Sequence, residues 1–136
     1  MLQSSNIHVQ CRQTAIAIND AMELLAGKWT PRVIMALLVR EILCFTELKK
    51  EIGGVSSKVL SASLKRLEQH LIVERNVLPI QTGKVEYQLT DHGKSLEKLL
   101  EELSITGVKH RIVLTGRNVT ENARVEVKLY GTKNAL

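Results

Sequence analysis

The sequence predicts a mainly α-helical domain with one small antiparallel β-hairpin. Three observations lead there. Hydrophobic residues make up 44% of the 136, yet aromatics only 3%, so the core must be aliphatic, which suits packed helices better than a β-sandwich. Apolar residues recur at helical spacing in successive runs, which glycines or a Thr-Pro pair separate. Residues 84–89, by contrast, alternate strictly and place Val85, Tyr87 and Leu89 on one face. A chain of this length holds one domain with a modest core, not two of ordinary size.

Taken in order, residues 1–10 read as a polar lead-in. From Cys11 to Ala26, the residues Ala15, Ile18, Met22 and Leu25 keep helical spacing, and Gly27 ends the helix. Thr30 and Pro31 restart the chain as N-cap and first helical residue. The helix they open runs to about Arg40 and is apolar on nearly all sides. It therefore belongs in the middle of the core, with Trp29 plugging the junction beneath it. Phe45-Thr46-Glu47-Leu48 starts a short third helix with Thr46 as cap, and Gly53-Gly54 stops it. The fourth helix is capped by Ser56 or Ser57 and turns Leu60, Leu64, Leu67 and Leu71 to one side. Its other face carries Ser57, Lys58, Ser61, Ala62 and Lys65, all small or basic.

Two helices joined by a tight glycine turn make a helix-turn-helix. The strand expected over 72–77, the turn-rich 79–83 and the strand over 84–89 form a hairpin directly after it, a wing. Thr90 caps a long helix from Asp91 to about Gly107, with Leu96, Leu99, Leu100 and Leu103 on one side. Beyond Arg111 the pattern changes: 125–130 alternates like a short strand, and Asn118-Val119-Thr120 matches a glycosylation sequon by chance.

The formal charge is +5 and the sequence pI about 9.4, a balance that favours a polyanionic partner. Two cysteines, Cys11 and Cys44, lack metal-ligand spacing and cannot build a disulfide framework. The opening residues carry no apolar signal segment, and no run approaches a membrane span. A reducing cytoplasm fits these features. His8, His70, His92 and His110 are scattered, no nucleophile–base cluster can be assembled, and no glycine loop cradles phosphate. An enzyme, a metal site and a cofactor are therefore not expected.

The order of these elements resembles the HxlR-type transcriptional regulators, a branch of the MarR-like winged-helix proteins. The resemblance is carried by Gly27-Lys28-Trp29-Thr30, Phe45-Thr46-Glu47-Leu48 and the helix from Ser56 to Glu68 with its leucines. It continues through Val73-Glu74-Arg75, Pro79, Val85-Glu86-Tyr87-Gln88-Leu89-Thr90 and Gly93, in register from Cys11 to about His110. It implies a winged domain over 11–110, with an extension over 111–136 that has no counterpart. It also implies a homodimer, built from the first and last helices, that binds a pseudo-palindromic operator. Members commonly carry Gly at the position of Leu71, where a positive φ would cost about 1 kcal/mol. They commonly carry Gly or Pro in the turn held here by 40–44, and often Trp at the position of Thr106.

For double-stranded DNA, the candidate contacts are Ser56, Ser57, Lys58, Ser61, Ala62 and Lys65 on the fourth helix, and Gln81 and Lys84 on the wing. Serines bond phosphate or base edges, Ala62 meets a thymine methyl, and lysines neutralise phosphate. With no Arg, Asn or Gln on the leading half of this face, DNA shape has to carry part of the specificity. Lys49 and Lys50 fit either phosphate contact or a solvated helix face. A cysteine at the position of Cys11 is the redox-sensing thiol of those family members that sense oxidants or electrophiles. A thiol near a helix N-terminus and beside Arg12 would favour its thiolate. The plain alternative is that Cys11 is a small residue without a regulatory role. Cys44, between Leu43 and Phe45, reads as a partly buried structural residue, with a resolving thiol as the alternative. Two other functions fit the same fold: a winged-helix protein-interaction module, and a regulator answering a small ligand without thiol sensing.

Overall fold

In the computed structural model, residues 4–79 and 83–116 are described. The strand expected over 125–130, the sequon and Gln81 lie outside them. The order is α1 (Ser4–Leu24), α2 (Thr30–Arg40), β1 (Ile42–Cys44), α3 (Phe45–Ile52), α4 (Ser57–Gln69), β2 (Val73–Val77), β3 (Val85–Leu89), α5 (Asp91–Lys94) and α6 (Glu97–Thr115). The mainly helical architecture and the hairpin are as expected.

The core is aliphatic. Val33, Ile34, Leu37, Leu48, Leu60, Leu64, Leu67, Ile72 and Val73 are all but inaccessible, and Tyr87 is the aromatic among the buried residues. α2 runs through its centre, touching α3, α4, α6 and the sheet. The apolar stripe of α4 is Leu60, Leu64 and Leu67; Leu71 leaves it and stands 70% exposed.

The sheet has three strands, not two, in the order β1-β3-β2 and antiparallel throughout. The hairpin pairs Val73 with Leu89 and Val77 with Val85. β1 pairs Leu43 with Tyr87. Three residues are too few for alternation to show in the sequence; β1 is a strand because β3 offers it a free edge. The preceding turn lacks Gly and Pro, and Glu41 takes a φ of 66° there.

Four other expectations are corrected. α1 starts at Ser4, so residues 4–10 are helix and not a polar lead-in, and Cys11 lies seven residues inside it. Thr30 is not the N-cap of α2: Trp29 holds that position, while Thr30 is buried and its hydroxyl donates to Ala26 O at 2.8 Å. α3 is capped from Cys44, not Thr46, and the Glu47 carboxylate accepts the Cys44 N–H at 2.8 Å. That backbone bond is the main reason the Glu47 carboxyl sits below its ordinary pKa. The long helix after Thr90 is two helices. Thr90 does cap the first, accepting the Gly93 N–H at 2.9 Å. Gly93 is pressed so close to Ile72 that a Cβ would come within 2.2 Å of its carbonyl oxygen. The chain turns there, and α6 starts afresh and runs on to Thr115.

The end of α4 answers the question Leu71 raised. Its N–H donates to Glu68 O at 3.0 Å and that of Ile72 to Leu67 O at 2.9 Å, the paired bonds of a Schellman cap. The first of the two donors, the C′ residue, is left-handed in such a cap, and Leu71 has φ 58°. Its side chain gains little in return for the strain. Leu71→Gly should therefore stabilise the fold by about 0.5 kcal/mol: a left-handed penalty of about 1 kcal/mol, less about 0.5 kcal/mol of extra entropy that glycine loses on folding. A thermal melt checks this, and an unchanged or lowered Tm would mean that Leu71 packs against something that the isolated chain lacks.

Candidate nucleic-acid interface

α3 and α4 meet across Gly53 and Gly54, both left-handed, with φ 67° and 77°. Glycine is needed there because the chain reverses between the helices. Gly54 also faces the indole of Trp29, which a Cβ would approach to 3.7 Å. Trp29 in turn lies under two cations, Lys28 Nζ at 5.0 Å and the Arg32 guanidinium at 5.3 Å from the ring centre.

The turn delivers Ser56 as the N-cap of α4, its hydroxyl accepting the Val59 N–H at 3.2 Å. Lys49 of α3 reaches across and donates to Ser57 Oγ at 2.9 Å. A lysine and a helix N-terminus thus lie together, the combination that suits a phosphate. Ser56, Ser57, Lys58, Ser61, Ala62 and Lys65 are all exposed. Lys58 and Lys65 are two helical turns apart on one face, with Ser61 and Ala62 between them. At about 1.5 Å per residue the lysines are spaced by roughly 10 Å, comparable to the width of a major groove.

Lys84 is exposed immediately before β3, and its charge is one of the weaker influences holding the Glu47 carboxyl low. Two residues of α4 were missed in the sequence. Val59 is 42% exposed beside Ala62 and adds a second apolar side chain to the outer face; its offset from the leucine stripe could have revealed it. Arg66 turns inward instead and bonds the end of α1. No sequence signal marks that role.

Cys11 is exposed and Cys44 half-buried, both as free thiols. Cys11 borders a shallow depression with Gln10, Thr14, Ala15 and Ile18, all from α1 itself. Among the described residues no cluster of His, Cys, Asp or Glu could hold a metal ion, and no helix is long and apolar enough to cross a membrane.

A winged helix-turn-helix is what the chain shares with a known family. The model of the HxlR-like helix-turn-helix family matches residues 24–112. The chain belongs to that family. It is a transcriptional regulator of the HxlR, MarR-like type, and its relatives are regulators rather than enzymes. An uncharacterised HTH-type transcriptional regulator of Halalkalibacterium halodurans is 41% identical over 90 residues, 66% of this chain and 80% of that protein. The reduced form of the regulator YodB from Bacillus subtilis superposes with a TM-score of 0.61 at 36% identity, covering 65% of this chain and 86% of that one. The redox regulator HypR in its reduced form gives a TM-score of 0.67 at 26% identity, covering 74% and 99%. YodB is also described in diamide-treated and quinone-bound forms, and HypR in an oxidised form.

Proposed function

We propose that this HxlR-type regulator binds a pseudo-palindromic operator as a homodimer and inserts α4 of each subunit into successive major grooves. The carrying observation is the outer face of α4, where Lys58, Ser61, Ala62 and Lys65 are all exposed and none is acidic. A docking module would have no need of two lysines spaced along the exposed face of the helix that a glycine turn presents. The wing, through Gln81 and Lys84, reaches flanking phosphates or the minor groove. The dimer forms through α1 and α6.

Thiol control belongs to the same proposal. Cys11 is exposed on the helix that pairs the subunits, and regulators of this type are described in reduced, oxidised and quinone-bound forms. The support comes from exposure and position, since Cys11 is not at the helix end. Modifying it shifts α1 and so changes the spacing of the two recognition helices. The test is a gel-shift titration on DNA from upstream of the protein's own gene, with and without diamide or a quinone. The parent protein should lose or gain affinity on treatment, whereas Cys11→Ser should bind nearly as the untreated parent does and ignore the reagent. A response that persists in Cys11→Ser and disappears in Cys44→Ser would move the sensor to Cys44. No response in the parent would leave a small-ligand effector as the reading.

A further inference from the structure

We propose that Arg66 is a positioning residue that ties the recognition helix to the end of α1, so that the orientation of α4 follows that of α1. This deepens the reading above, in which α4 meets DNA and α1 pairs the subunits.

Arg66 Nη1 donates to Ala26 O at 2.9 Å and Nη2 to Glu23 O at 2.5 Å, across 40 and 43 residues of sequence. Glu23 lies in the last turn of α1 and Ala26 two residues past its end, where helix carbonyls carry partial negative charge. A guanidinium is a rigid planar fork. Two bonds from one fork to two carbonyls fix an angle as well as a distance.

The junction has a third member. Ala26 O also accepts the hydroxyl of Thr30, a residue 3% exposed at the start of α2. Gly27, at φ 105°, lets the chain turn tightly there: a Cβ would stand 3.1 Å from that hydroxyl oxygen. One carbonyl thus anchors the start of the central helix and the recognition helix together. Between Val9 and Asp20 α1 is exposed at every position, so its end is where it engages the body of the domain. A tilt of α1 therefore pulls on Arg66 and rotates α4.

The geometry can be measured directly. Spin labels at Gln13→Cys on α1 and Ser61→Cys on α4, in a Cys11→Ser, Cys44→Ser background diluted with unlabelled chains, report the distance between the two helices within one chain by pulsed dipolar EPR. With Arg66 present the distribution should be narrow. Arg66→Met should at least double its width, and Arg66→Lys, which keeps the charge but not the rigid planar fork, should fall between. A width unchanged in both variants overturns the proposal. A second measurement separates positioning from direct contact with DNA. In the native-cysteine protein, Arg66→Met should weaken operator binding about tenfold and leave its salt dependence unchanged. A slope lowered by about 1.8, two phosphate contacts per dimer, would make Arg66 a DNA ligand and overturn the proposal as well. If the parent binds no operator, the DNA reading fails while the distance measurement still decides the coupling.

Discussion

Replacing Lys58 and Lys65 together by alanine is expected to flatten the salt dependence of operator binding more than any other pair of substitutions. Each phosphate contact releases counterions and contributes about 0.9 to the slope of log K against log salt. The proposed homodimer presents each lysine twice. One substitution should then lower the slope by about 1.8 and both together by about 3.6, with binding to random DNA weakened alongside. Both side chains are exposed and neither supports the core, so the thermal melt should barely move. Fluorescence anisotropy titrations between 50 and 200 mM salt supply the numbers. A double variant with the parent's affinity and slope would mean that another surface faces the DNA.

The second large effect concerns assembly. A helix gains most of its stability by burying an apolar face, yet the long stretch of α1 from Val9 to Asp20 buries none. Ile18 and Met22, which share one face, are 56% and 59% exposed, and Val113 and Leu114 near the end of α6 are 79% and 70% exposed. In the proposed dimer a second copy supplies the missing cover. Ile18→Glu with Met22→Glu should give a folded monomer at micromolar concentration in a sedimentation run. Operator affinity should fall by at least about 100-fold, because the second half-site no longer binds intramolecularly. A parent protein that sediments as a monomer and still binds operator fully would contradict the assembly.

The core and the site were legible to different degrees. The periodic signals of α4, α2 and 85–89 are met at Leu60, Leu64, Leu67, Val33, Ile34, Leu37, Tyr87 and Leu89, which are buried, while Val85 is half-buried and Leu71 and Val39 are exposed. The leucine stripe of α6 misled in part. Leu96 and Leu100 belong to the core, while Leu99 and Leu103 are the exposed half. What escaped the sequence depends on partners far along the chain. β1 exists because of β3, and Gly93 of α5 is pressed against Ile72, a contact that no local pattern reveals. The early start of α1 escaped because residues 4–10 carry a polar pattern and no cap. Arg66 escaped because nothing local tells an arginine that bonds a distant helix end from one that faces solvent. The candidate DNA contacts were legible as a face of α4, since spacing alone decides which residues share a helix side.

The most direct test of the account is a hydroxyl-radical footprint of the protein on DNA from upstream of its own gene. Two α4 helices related by a two-fold axis should protect two tracts with centres about one DNA turn apart, roughly 34 Å, within an inverted repeat and with one dimer per site. Protection of a single tract by one subunit, or a folded protein that protects no tract more than competitor DNA, would contradict it.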